Sequence, residues 1–388
     1  MPDLNIGVIG AGGRGFLAKY AHSPGNGSCV IACCDLKPTV FERACKLYGK
    51  DVFTTQDYHE LLSQDIDVVF VCSPDFLHEE HALAALNAGK HVYLEKPMAI
   101  TIAGCDRILA AARDNNVKLY LGHNMRHFSV IQKMKDLVDA GAIGTVKTAW
   151  CRHFVSYGGD AYFKDWHSER KYTTGLLLQK GTHDIDILHW LCGGYTESVT
   201  AMGDLSVYHD VPDRRSPSEL GAPAWDTKFW PPLSQKQLSP SIDIEDISMA
   251  LMRLDNGVLA SYQQCHFTPD AWRNYTVIGT EGRIENFGDG CGAETCVKLW
   301  NTRTDRYSPD ADEIYPITSE EAGHGGSDPQ IVAEFIRYVR EDIPISTSPI
   351  AARQSVATGV MATESLRNGS VPMNIPPLDP ELAAYFEQ

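Results

Sequence analysis

A short apolar run, Leu4-Asn5-Ile6-Gly7-Val8-Ile9, gives way at once to Gly10-Ala11-Gly12-Gly13-Arg14-Gly15. A G-x-G-x-x-G string set between a strand and a helix pattern admits few folds. The first glycine allows the tight turn, the second lets a phosphate approach the backbone, and the third lets helix and strand pack closely. The helix N-terminus behind them offers N–H groups and the positive end of its dipole to a pyrophosphate. Gly10, Gly12, Gly13, Arg14 and Gly15 are therefore read as a dinucleotide cradle.

The pattern that follows suits such a cradle. Residues 28–34, 68–72, 91–94 and 117–121 are short apolar runs of strands buried on both faces, and 38–48, 78–88 and 102–115 carry apolar residues at helical spacing. This alternation builds an α/β Rossmann domain with a doubly wound parallel sheet over residues 1–123. Past Arg126 the grammar changes. A helix over 129–140, a strand over 146–154 and a helix over 184–191 lead into alternating strands at 246–254, 258–265, 274–278 and 296–300. Residues 124–388 are therefore expected to form an α+β domain with an open, mostly antiparallel sheet, closed by helices over 328–340 and 350–368. Residues 208–241, rich in Pro, Ser and Trp, read as a long functional loop or an interface arm.

At 388 residues the chain is too long for one ordinary core, which agrees with two domains. A formal net charge of −16 repels polyanions, so nucleic acid and anionic membrane surfaces are excluded as partners. The N-terminus has no basic lead or signal-type apolar core, and no apolar run is long enough to span a bilayer, so a soluble, cytoplasmic protein is expected. The 11 cysteines are odd in number and form no C-x-x-C pair. That pattern predicts reduced core thiols, with neither a disulfide framework nor a metal site.

Four further places carry chemistry. Asp35 follows the second strand, where a carboxylate accepts hydrogen bonds from both ribose hydroxyls and repels a 2′-phosphate; NAD is favoured over NADP, with Lys37 as the one opposing charge. Ser73 and Pro74 end the fourth strand at the carboxyl edge of the sheet, and His78 is open to two readings, cofactor contact or cap of the next helix. In Glu95-Lys96-Pro97, Pro97 biases Lys96 away from helical geometry and aims it. An amine beside a cationic nicotinamide is suited to proton transfer near neutral pH, while a lysine merely paired with Glu95 is the structural reading. Last, His183 and Asp186 fall one turn apart on one helical face, so the histidine can relay a proton with Asp186 orienting its ring. His189 is read as structural.

These motifs, with Asn124-x-Arg126, Gly279-Thr280-Glu281-Gly282 and Gly325-Gly326-Ser327-Asp328, resemble the glucose-fructose oxidoreductase, inositol dehydrogenase and MocA group of NAD(P)-dependent oxidoreductases over nearly the whole length. The resemblance implies hydride transfer between nicotinamide and a sugar or polyol carbon, with Lys96 and His183 flanking the reacting hydroxyl. It implies Asn124 and Arg126 near the nicotinamide, Trp166 as a wall of the site, and a homodimer or homotetramer formed through the open sheet. One position departs from the pattern: where an aspartate is usual, four residues before the histidine, stands Gln179, which cannot take a proton.

Ahead of His183 the chain gathers His153, Tyr157, Trp166, His167, Arg170, Lys171 and Lys180. Aromatic walls with a few polar donors suit a sugar ring, and the cations suit an anionic group on it or are simply solvated. His324 is a further candidate. The first reading is an NAD-dependent dehydrogenase of a ring hydroxyl, at C3 of a sugar or glycoside. The second is an oxidoreductive glycosidase, which oxidises, eliminates, adds water and re-reduces; a catalytically silent cofactor-binding regulator is the third.

Overall fold

The computed structural model describes residues 2–217, 225–289, 294–318 and 326–387. Two compact units emerge: Met1–His127 with Gly326–Val356 and Pro377–Gln388, and Phe128–Gly325 with Ala357–Pro376.

The first unit is built on six strands, β1 (Leu4–Ile9), β2 (Ser28–Cys34), β3 (Phe53–Thr55), β4 (Val68–Val71), β5 (His91–Leu94) and β6 (Leu119–Leu121), all parallel, in the order β3-β2-β1-β4-β5-β6. That is the order of the dinucleotide-binding fold expected from the sequence. Its strands are apolar runs because helices cover both faces. β3 is too short for any hydrophobic period to show, and was not expected from the sequence.

One covering helix comes from far along the chain. Ser327–Glu341 buries Ile331, Val332 and Phe335 in the same core as Val8, Phe70, Tyr93 and Tyr120. The Phe335 ring stands 5.4 Å from that of Phe70 and 5.5 Å from those of Tyr93 and Tyr120. Lys118 Nζ donates to the Tyr338 carbonyl, and Arg353 pairs with Asp106. The sequence put everything after residue 123 into the second domain; these contacts return Gly326–Val356 to the first. The sheet has an apolar face that needs this helix, and no local pattern announces which unit an amphipathic helix will cover.

The second unit carries nine strands: β7 (Val146–Phe154), β8 (Thr196–Asp204), β9 (Ile247–Leu254), β10 (Leu259–Cys265), β11 (Trp272–Gly279), β12 (Arg283–Phe287), β13 (Cys296–Trp300), β14 (Glu313–Pro316) and β15 (Met373–Asn374). Their order is β14-β13-β12-β11-β7-β10-β9-β8-β15, antiparallel except where β10 runs parallel to β7. β9 alternates strictly between core and solvent, as a sheet with one covered face requires. The helix Gly181–Cys192, buried along nearly its whole length, lies against β7 and β10 on the covered face. It ends at Gly193 in the left-handed conformation, which suits a glycine C-cap.

The described parts of 208–241 are anchored in this unit. Tyr208, Val211 and Leu238 share a core with Val155, Phe163 and Leu176, and Gln235 donates to the buried Asp160, which also holds Lys164. Among the described residues no helix is long and apolar enough to cross a membrane.

Candidate active site

In the first unit the glycine turn is shaped by close approach. Gly10 has φ +79°, and a Cβ there would lie 2.7 Å from the backbone of Cys72 and Ser73; one on Gly15 would lie 2.1 Å from the Gly10 carbonyl. The helix that follows, Gly13–Ala21, is wound as 3₁₀ where the sequence led us to expect a helix, and no side chain caps its N-terminus. Asp35 is fixed at the end of β2: its Oδ2 accepts from Gly12 N at 2.8 Å and its Oδ1 from Lys37 N at 2.9 Å. An open, uncapped glycine turn beside an anchored carboxylate fits a dinucleotide, with the glycines at the phosphates and Asp35 at a ribose.

The remaining candidates of this unit form one connected layer. Ser73 Oγ bonds to His81 Nδ1 at 2.9 Å. His81 is held neutral, its pKa lowered to about 4 by burial. His78 is buried, with Nδ1 2.6 Å from the Pro97 carbonyl and Nε2 2.8 Å from the Ser73 carbonyl, so it bridges the turns that carry Ser73-Pro74 and Lys96-Pro97. Neither of its ring nitrogens caps the helix it begins. Glu95 accepts from the Lys96 N–H at 3.2 Å and from Arg14 Nε at 2.7 Å. Asn124 Nδ2 donates to Ser327 Oγ at 3.3 Å, and Arg126 donates to the Ser346 carbonyl.

In the second unit the helix Gly181–Cys192 carries His183, Asp184, Asp186 and His189, all buried, and Gln179 is buried on the turn before it. The carboxylate that gathers partners is Asp184, which the sequence reading passed over. It accepts from the hydroxyls of Tyr262 and Tyr275, with His153 Nδ1 at 3.0 Å and the Arg273 guanidinium at 3.1 Å in an ion pair. Burial works against its charge, yet His153 and Arg273 hold it well below the usual carboxylate range. His153 is kept neutral, its pKa lowered to about 3 by burial and by Arg273 against the pull of Asp184. With Nδ1–H given to Asp184, the tautomer leaves Nε2 as an acceptor.

Strand register explains the cluster. His153 stands opposite Gln264 on one side and Arg273 on the other, and Cys151 lies between Tyr262 and Tyr275 in the next row. The period of two on β7, β10 and β11 was the available signal, since it puts Tyr262, Arg273 and Tyr275 on chains flanking His153. His266, just past β10, was also missed. It is fully buried, and among the described residues neither ring nitrogen has a hydrogen-bond partner.

An aromatic group adjoins this cluster. Tyr162 meets His266 edge-on at 5.2 Å and His167 at 5.7 Å, and Lys180 Nζ stands 5.8 Å from its ring. Trp166 stacks on His167, and Tyr157 stacks on Trp225 of the long loop at 5.4 Å. Arg170 is paired with the buried Glu245, and Lys171 with Glu169. His189 bonds to Thr196 through Nε2, a structural role. His324 lies outside the described residues.

A glycine cradle with an anchored carboxylate, and a second sheet presenting buried imidazoles, defines a dinucleotide-dependent protein of two-unit design. The chain belongs to the Gfo/Idh/MocA oxidoreductase family: the family's NAD-binding Rossmann fold matches residues 4–123 and its C-terminal alpha/beta domain residues 135–375. Its cofactor is thus a nicotinamide dinucleotide. Inositol 2-dehydrogenase of Salmonella paratyphi B is 30% identical over 192 residues, 48% of this chain and 54% of that protein. Levoglucosan dehydrogenase of Pseudarthrobacter phenanthrenivorans is 26% identical over 382 residues, 90% of this chain and 92% of that one. The solved structure of a levoglucosan dehydrogenase with NADH and levoglucosan superposes with a TM-score of 0.77 over 97% of this chain and 100% of that one, at 22% identity.

Proposed function

We propose that this protein is an NAD-dependent dehydrogenase that oxidises a ring hydroxyl, at C3, of a sugar or glycoside. The observation that carries the reading is the joint presence of Lys96 and His183 in a family whose similar members are named inositol and levoglucosan dehydrogenases. When bound, the nicotinamide supplies the hydride acceptor. Lys96 takes the hydroxyl proton, and His183 hydrogen-bonds the same oxygen and passes the proton on. Gln179 offers a hydrogen bond but no proton transfer, so the proton rests on the other two. His153, through its free Nε2, and Lys180 bind further hydroxyls, with Tyr157 and Trp166 as apolar walls. NAD is preferred over NADP because both oxygens of Asp35 are fixed by backbone N–H groups, where a 2′-phosphate would meet them.

Ten described cysteines are free thiols, which supports a reducing, cytoplasmic setting. Exposed Met202, Met249, Leu251 and Leu259 on the outer face of the second sheet support a homodimer or homotetramer. The test is incubation with NAD and a panel of free sugars, neutral glycosides and anionic glycosides, following NADH absorbance and aglycone release together. Stoichiometric NADH without aglycone release is expected. Aglycone release with no net NADH would establish the oxidoreductive glycosidase instead, a reading that Gln179 in place of a proton-transferring aspartate favours.

A further inference from the structure

The one charged side chain of the glycine fingerprint is committed to carboxylates. Arg14 Nε donates to Glu95 Oε1 at 2.7 Å, and one terminal nitrogen donates to both oxygens of Asp328, at 2.8 and 2.7 Å. Burial disfavours the charge on Arg14, but Glu95, Tyr93 and Asp328 outweigh it and keep the guanidinium protonated. Glu95 is itself a hub. Its Oε1 also accepts from the Tyr93 hydroxyl at 3.2 Å, and its Oε2 accepts the Lys96 N–H at 3.2 Å. Asn124 Nδ2 reaches Asp328 Oδ1 at 3.5 Å. A single guanidinium thereby links four stretches that stand far apart in sequence: the fingerprint, Glu95-Lys96-Pro97, Asn124 and Ser327-Asp328.

Arg14 carries +1, Glu95 and Asp328 carry −1 each, and the Tyr93 hydroxyl and Cys72 thiol, both pushed well up by burial and then by Glu95, stay neutral. A buried ionic cluster is a poor source of stability compared with apolar packing, and its best-attested use is to select one arrangement of the groups it joins. The group joined here, through the Glu95 carboxylate, is the backbone of Lys96.

We propose that Arg14 is a positioning residue for Lys96: it fixes the Glu95 carboxylate against the Lys96 amide and neutralises that carboxylate beside the proton-handling amine. The inference rests on Lys96 being the base, as proposed above. Arg14→Met takes away the cation that Glu95 and Asp328 share, which favours the ammonium form of Lys96. In the oxidation direction Lys96 must first shed its proton, so the limb of kcat/KM that rises with pH moves up, by about half to one pH unit. Loss of aim lowers kcat about five- to tenfold at the optimum. Asp328→Asn changes the balance in the opposite sense and moves the limb down. Adding Glu95→Gln to Arg14→Met removes the Glu95 carboxylate and returns the limb to its parental position without restoring kcat. Arg14→Lys, which keeps the charge, holds the limb in place and covers the case in which the methionine variant does not fold.

The experiment is the pH profile of these four variants on the full-length enzyme, with NADH affinity read by fluorescence. A limb that stays put while the NADH Kd rises tenfold would assign Arg14 to the cofactor and overturn the proposal; so would a lowered Tm with an unchanged profile. The underlying reading fails separately, if Lys96→Ala retains oxidation at the parental rate.

Discussion

Asp184 is the residue on which the second unit depends most. Two tyrosine hydroxyls, an imidazole and the buried cation Arg273 surround a carboxylate with no exposure to water. Asp184→Asn should therefore destabilise the protein by about 3 kcal/mol, because the buried Arg273 would lose its nearer countercharge and keep only Asp289, at 3.7 Å; urea denaturation of the variant checks this. The buried imidazoles give a second expectation, with a definite sign. His153, His81 and His266 all have folded-state pKa values lowered by burial, to about 3, to about 4 and well below the ordinary 6.5. As pH falls below 6.5 the unfolded chain takes up protons that the folded chain refuses. The stability these rings contribute is thus complete above pH 6.5 and is lost as pH falls toward 4, at about 1.4 kcal/mol per pH unit for each histidine. His266→Leu should make that slope shallower by one proton. It should also leave stability at pH 8 unchanged or raised, since it removes a buried ring with unsatisfied nitrogens. Urea midpoints at pH 8, 6 and 5 decide; an unaltered slope would mean that His266 is not held neutral.

At the scale of elements, the glycine turn and the sheet-covering helix make contrasting cases. Gly15 cannot accept even a methyl group without moving the Gly10 carbonyl, so Gly15→Ala should distort the turn and weaken NADH binding at least tenfold in a fluorescence titration. The sequence made that turn readable because the constraint is local: three glycines between a strand and a helix. It made β1, β2, β4 and β5 readable for the same reason, since strands buried on both faces are continuous apolar runs. β3, β12 and β14 span only three to five residues and show no period. The glycine turn and its carboxylate were legible because one local motif carries them, and Asp35 is anchored there by the Gly12 and Lys37 amides. The candidate site was not legible where strands assemble it. Asp184 draws its partners from β7, β10 and β11, at positions 153, 262, 273 and 275, which only the sheet register brings together.

At the scale of the whole molecule, the chain returns to its first unit after completing most of the second, and this has a consequence for any attempt to divide it. Residues 1–127 alone lack Ile331, Val332 and Phe335, so a fragment ending there should show no cooperative urea transition and should bind a hydrophobic dye. The second sheet poses the opposite problem, a face that the described parts of its own unit leave bare. Along β9, Met249 and Leu251 point away from the core while Ser248, Ala250 and Met252 point into it. Met202 on β8 stands directly opposite Met249, and Leu259 on β10 is exposed on the neighbouring strand. Contiguous apolar side chains on adjacent strands fit the surface of the proposed assembly, and charge is depleted in the cores of such interfaces. Replacing Met249 and Leu251 together by Asp would place two carboxylates in that apolar row at positions that already face solvent, so the fold itself should survive. If the proposed assembly forms through this face, sedimentation equilibrium should find the parent a dimer or tetramer and the variant a monomer, with the thermal midpoint lowered only by the loss of assembly. A double variant that sediments like its parent would show that the subunits meet elsewhere and that this face has another partner.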